Sequence, residues 1–297
     1  MQKTCLLKNI LPISGISSII DKYQYFILDI WGVIHDGTAL YPQVLETLQY
    51  LKQAKKTVCL LSNAPRRAHI VVDFLTKMGI SSDLYSFVLT SGEAVYLDLQ
   101  QNQQNGFINF QQKYCYAGPL KDQDLLNGLN YQQTDVSLAN FILNTGFDND
   151  DSTLQEKIPL LKKAEERDLP MICANPDSMV VKQTGQKIIC AGVMAQYYQS
   201  LGGKVFYYGK PLVKVYEILH NLLEKPNKSS IIAVGDGLET DILGANSFQI
   251  SSLLVTGGIL THELKSSFSQ QVHLDKIKNV CQKYSAIPNY TISNLSL

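Results

Sequence analysis

The stretch YQYFILDIWGVIHDG, Tyr23 to Gly37, holds an apolar run that stops at Asp29 and is followed by glycines at Gly32 and Gly37. Tyr25, Phe26, Ile27 and Leu28 are β-formers without polar alternation, the pattern of a strand buried on both faces. An acid at the carboxyl end of such a strand sits where open α/β sheets build their sites. Taken alone, Asp29 reads more simply as a helix-capping residue in a βα loop.

Three later segments repeat the layout of apolar strand, polar residues and helix start. They are VCLLSN (Val58–Asn63), KVFYYGKP (Lys204–Pro211) and IIAVGDGLETD (Ile231–Asp241). Asp29, Ser62, Lys210, Asp236 and Asp241 thus fall at strand ends, in that order along the chain. The GDG of the last segment is not a dinucleotide fingerprint. Its third glycine position is Thr240, and Asp236 would oppose a pyrophosphate. The order of carboxylate, hydroxyl, cation and two further acids resembles the haloacid dehalogenase superfamily of aspartate-nucleophile phosphotransferases. Within it the chain is similar to the NagD-like, p-nitrophenylphosphatase-like branch, over nearly its whole length.

Composition narrows the classes. The chain has 297 residues, 45% of them hydrophobic, and a formal net charge of +0, so it can build a large core and carries no basic footprint for nucleic acid or anionic membrane. The pairs Arg66-Arg67 and Lys162-Lys163 read as solvated helix faces. Cys5, Cys59, Cys115, Cys173, Cys190 and Cys281 show no C-x-x-C spacing and lie mostly in apolar runs, which reads as reduced core thiols. The histidines form no metal-binding pair, against a zinc site. Lys8, Pro12 and Gly15 interrupt the apolar patches of the N-terminus, so neither a signal peptide nor a spanning segment is expected. The expected compartment is the cytoplasm, with the leading segment packed on the core.

Strand and helix patterns alternate throughout, which predicts an α/β fold with a doubly wound parallel sheet. Val33 to Leu40 is expected as a hairpin flap turning at Asp36-Gly37. Gln101 to Asn105, QNQQN, is the sharpest shift in composition and reads as a hinge. A second βα set follows, and Gly202-Gly203 reads as the return. The expected division is a core over 1–103 and 204–297 with an α/β cap inserted at 104–203.

The resemblance implies Asp29 as the nucleophile of an aspartyl-phosphate pathway. It implies Mg²⁺ held by Asp29, the main-chain carbonyl of Trp31, Asp236 and Asp241, with Ser62, Asn63 and Lys210 clamping the phosphate. Asn175 and Asp177 resemble a cap loop that faces the site, making them candidate substrate contacts. The expected ligand is a small phosphorylated metabolite, sugar phosphate or nucleotide-like. Caps of this kind often mediate dimers, so a homodimer is an open expectation.

One position departs from the family. Most of its phosphatases read D-x-D-G, with the second Asp as general acid and base; here the residues are Asp29-Ile30-Trp31-Gly32. An indole cannot carry that proton. Three alternatives stay open: a leaving group that needs no proton, a surrogate such as His35 or Asp36, or a phospholigand-binding protein with weak or no turnover.

Overall fold

Phe26, Ile27 and Leu28 are buried, with Phe26 and Leu28 in one apolar layer and Ile27 in another. That two-sided burial explains the unbroken apolar run, because only a central strand covered on both faces needs it. The structure is a computed structural model that describes residues 10–105, 112–181, 186–264 and 270–297.

In chain order the first described strands are β1 (Leu11–Pro12), β2 (Tyr25–Leu28), β3 (Thr57–Ser62), β4 (Phe87–Thr90), β5 (Lys113–Ala117), β6 (Gln132–Gln133) and β7 (Phe141–Asn144). They are followed by β8 (Met171–Cys173), β9 (Met179–Val181), β10 (Lys187–Ile189), β11 (Val205–Tyr207), β12 (Ile231–Gly235), β13 (Ser251–Val255) and β14 (Tyr290–Ile292).

A seven-stranded sheet runs β1-β14-β13-β12-β2-β3-β4, parallel throughout. From β2 the chain steps outward through β3 and β4, then returns to build β12 to β14 on the other side. The switch point of this doubly wound α/β sheet therefore lies at β2, where such sheets open a crevice beyond their carboxyl edge. Asp29 and Asp236 follow β2 and β12 directly, and Ser62 ends β3.

A second, five-stranded parallel sheet runs β11-β8-β7-β5-β6, with its own apolar layers on both faces. β9 and β10 form a separate antiparallel pair. Membership of β11 in this smaller unit corrects the reading of KVFYYGKP as a core strand. Val205, Phe206 and Tyr207 pair in register with Met171, Ile172 and Cys173. Val205 and Tyr207 pack into one layer and Phe206 into the other, so the strand needs a sheet covered on both sides. Gly202-Gly203 thus precedes the last strand of the smaller unit, and the chain leaves that sheet after Tyr207.

Two further local expectations change. Gln101–Asn105 end the helix Ser91–Asn105 instead of forming a hinge, while residues 106–111 lie outside the described residues. Val33 to Leu40 makes single bridges, Trp31 to His35 and His35 to Leu40, in place of a hairpin ladder. The leading segment from Ile10 packs on the core, with Ile16, Ile19 and Ile20 buried and β1 extending the sheet edge; its first nine residues, Cys5 included, lie outside the description. Among the described residues no helix is long and apolar enough to cross a membrane.

Leu60, fully buried in β3, tests the core. Leu60→Ala is expected to cost about 2–5 kcal/mol, read as a lower urea midpoint at unchanged m-value.

Candidate active site

The hydrogen-bond ladder between β2 and β12 runs one residue past the strand. Asp29 donates its N–H to Val234 O at 2.8 Å, which holds its backbone rigid and sends the carboxylate off the sheet edge. Lys210 meets it there. Its Nζ lies 2.5 Å from Asp29 Oδ1, 2.7 Å from Asp241 Oδ1 and 3.1 Å from the Leu61 carbonyl, and the side chain is 3% exposed. Burial works against the ammonium charge, but Asp241 and Asp29 outweigh it and hold Lys210 above the usual lysine range.

Carboxylate oxygens of Asp29, Asp236 and Asp241 all lie within 4.8 Å of one another, and all three residues are buried. Burial, and then the Asp241 charge, push Asp29 well above the usual carboxylate range, with Lys210 pulling the other way. The same two causes, in the same order, raise Asp236 to about 7. Three acids around one ammonium leave an excess of negative charge, which adds to burial in raising Asp29 and Asp236. A hard divalent cation with oxygen ligands fits this donor set.

The local backbone is shaped for these acids. Leu238–Ile242 forms a π-helical turn at the start of the helix Leu243–Phe248, the kind of widened turn found at functional sites. It lets Asp241 Oδ2 accept the Gly237 N–H at 3.1 Å, while Tyr216 Oη donates to the Asp241 carbonyl at 3.2 Å. Asp236 Oδ2 accepts the Ile259 N–H at 2.7 Å. Gly32 has φ +88°, and a Cβ there would come within 2.0 Å of Asp236 Oδ2; one on Gly235 would come within 2.0 Å of Asp241 Cγ. Both glycines leave room for a carboxylate.

Asn63 links the two units. Its Oδ1 accepts the Lys210 N–H at 2.7 Å, and its Nδ2 donates to the Lys210 carbonyl at 3.1 Å and to Asp177 Oδ1 at 2.8 Å. Asn175 Oδ1 accepts the Asp177 N–H at 3.0 Å and fixes the loop. Burial pushes the Asp177 carboxyl up to about 6, against the Asn63 hydrogen bond and Lys210 and with help from Asp241. Ser62 Oγ accepts the Ala64 N–H at 3.2 Å and stays at the end of β3.

Arg66 and Arg67 are not the solvated pair expected. Arg66 Nε lies 3.1 Å from Oδ1 of buried Asp122 in the smaller unit. Arg67 makes a forked pair with Glu93 and stacks over Tyr96 at 3.3 Å. Lys162 and Lys163 are exposed.

A cavity of about 470 Å³ opens over the acids and is lined by Asp29, Trp31, Ser62, Asn63, Asn175, Asp177, Lys210, Asp236 and Asp241 among others. The structure thus brings all nine residues singled out in the sequence to one cavity. Trp31 lines it half-buried, with the six-membered ring over Gly37, where a Cβ would meet Cη2 at 2.4 Å. His35 and Asp36 do not suit the surrogate role. Burial lowers His35 to about 4 against the pull of Asp36, and its Nδ1 accepts the Gly37 N–H at 2.9 Å, so the ring is neutral at pH 7. Asp36 Oδ1 accepts the N–H groups of Thr38 and Ala39, both at 2.8 Å, and builds the turn. Tyr216, Ile259 and the Arg66–Asp122 pair were missed in the sequence: Ile259 acts through its backbone, and nothing in the residue types announced the other contacts.

Residues 26–132 match a family model described as haloacid dehalogenase-like hydrolase, and residues 207–280 match a second model for hydrolases of the same kind; together they span more than half the chain. A haloacid dehalogenase-like hydrolase from Brucella suis is 26% identical, with a TM-score of 0.80 over 95% of this chain and 99% of that one. The p-nitrophenyl phosphatase from Archaeoglobus fulgidus, at 20% identity, gives 0.71 over 92% and 97% of the two chains. An acid sugar phosphatase of Staphylococcus haemolyticus is 22% identical over 87% of this chain and 95% of its own.

Asp177 supplies a test of the electrostatics. Its folded value, raised above the ordinary carboxylate, favours the neutral form, so its contribution to stability is full below about pH 4 and is lost as pH rises through about 6. Asp177→Asn keeps an acceptor for Asn63 without the half-buried charge. It is expected to gain about 1–3 kcal/mol over the native chain at pH 7.5 and nothing at pH 4, measured by urea unfolding at both values.

Proposed function

The chain belongs to the haloacid dehalogenase-like hydrolases, and from that premise we propose a Mg²⁺-dependent phosphatase of a small phosphorylated metabolite, with Asp29 as nucleophile. The observation that carries this reading is the buried cluster in which Lys210 lies within 2.7 Å of both Asp29 and Asp241 while Asp236 completes the acid triad. The relatives named as sugar phosphatase and p-nitrophenyl phosphatase support a phosphoric monoester as the substrate. The described cysteines are free thiols, which fits a reducing cytoplasm.

Asp29 is rigidly held and faces the cavity, as a carboxylate that attacks phosphorus must be. Attack forms the Asp29–phosphorus bond as the phosphorus–oxygen bond to the leaving group breaks; water then cleaves the acyl phosphate and restores the carboxylate. Lys210 and the Ser62 hydroxyl would face the non-bridging oxygens, and the Lys210 charge works against the burial that raises Asp29. The three acids and the Trp31 carbonyl would hold Mg²⁺, which supplies positive charge to the transferring phosphoryl group when bound. The polar side chains of Asn175 and Asp177 bring the smaller unit, which we treat as a cap, to the same cavity.

Trp31 favours a second reading, a phospholigand-binding protein with little turnover. The indole lines the cavity at the position where the D-x-D-G pattern has its second carboxyl, and His35 and Asp36 are committed elsewhere. Ligand-induced thermal stabilisation without product would identify that case.

Mg²⁺ is expected to raise Tm, by about 2.7 kcal/mol of stability at a hundred times its Kd, and Asp236→Asn to remove most of the gain. In the same buffer p-nitrophenyl phosphate should be hydrolysed, and Asp29→Asn should abolish product; hydrolysis that survives Asp29→Asn would rule out the nucleophile. Trp31→Asp is expected to raise kcat on alkyl phosphates by roughly 10²–10⁴-fold, the usual worth of general acid–base help, in a steady-state phosphate-release assay.

A further inference from the structure

The acids and Lys210 account for one end of the cavity, and the wall beside them is of another kind. Trp31, His35 and Phe74 form an aromatic row along it, with ring centroids 5.8 and 5.2 Å apart in edge-to-face contact. The smaller unit adds Phe147, Met179 and Val180 to the same lining. Phe74 and Met179 are each 38% exposed, among the few large apolar side chains left in solvent. Apolar surface gathered inside a concave site marks what the ligand covers.

Some of the polar groups beside this wall already have partners. Arg66 and Asp122 neutralise each other, and Asp177 is hydrogen-bonded to Asn63. A polyhydroxylated carbon chain would press its hydroxyls against carbon on this wall and leave them without partners, which selects against it. A flat ring instead covers the exposed aromatic and thioether surface in stacked or edge-on contact. Trp31 fits the same account, because it offers ring surface where an ionised carboxylate would repel an apolar body.

We propose that the phosphoryl group of the substrate is carried on an aromatic or heteroaromatic ring, held between the Trp31–His35–Phe74 row and the apolar side chains of the smaller unit. The proposal rests on the reading of the Asp29–Lys210 end as the phosphoryl site. It narrows the substrate to a class unlike a sugar phosphate.

Two non-hydrolysable probes separate the questions without relying on turnover. Binding of benzylphosphonate and 2,3-dihydroxypropylphosphonate to the full chain with Mg²⁺ is measured by titration calorimetry. Benzylphosphonate is expected to bind about tenfold tighter or more, equivalent to about 1.4 kcal/mol. Phe74→Ala, at a half-exposed helix position, should narrow that ratio by about threefold or more. Equal binding, a reversed order, or a ratio unmoved by Phe74→Ala overturns the ring proposal and leaves the phosphoryl site standing. Failure of both probes to bind at millimolar concentration overturns the phosphoryl site and the ring proposal with it.

Discussion

The buried ammonium of Lys210, held between Asp29 and Asp241, is the contact on which the rest of the site depends. Burying an ion pair is costly unless its remaining lone pairs and protons are satisfied. Here the third donor direction of the ammonium goes to the Leu61 carbonyl at the end of β3, and Asp241 is braced by the Gly237 N–H. The ends of β2 and β3 and the start of a helix are thereby tied to one charge. The arrangement still leaves negative charge over, since Asp236 has no cation of its own within the cluster. That surplus is the physical argument for an added divalent ion.

Most of this was legible because the chemistry sits at the ends of apolar runs. Tyr25–Leu28, Val58–Leu61 and Ile231–Val234 read as buried strands with no alternation, and each ends in a polar residue that the sheet then carries to its carboxyl edge. Val205–Tyr207 misled for the same reason. Its apolar character is real, but composition cannot say which of two parallel sheets a two-faced strand joins. QNQQN misled differently: a polar glutamine-rich run is compatible with a helix, and the helix that starts at SGEAVYLDLQ continues through it to Asn105.

The contacts that escaped the sequence are the ones that run through backbone atoms or across long separations. Ile259 serves Asp236 with its N–H, so its side chain carries no trace of the role. Arg66 reaches Asp122 over fifty-six residues. Trp31 was legible as a departure, but where its ring would lie was not; the structure puts it over Gly37, beside His35, in the cavity and out of the core.

The fork at Asn63 makes one amide serve both units. One amide group grips the Lys210 main chain on both its N–H and carbonyl sides and, with the same nitrogen, the Asp177 carboxylate of the opposite unit. A single substitution at Asn63 would therefore loosen the lysine main chain and the Asp177 loop in one stroke.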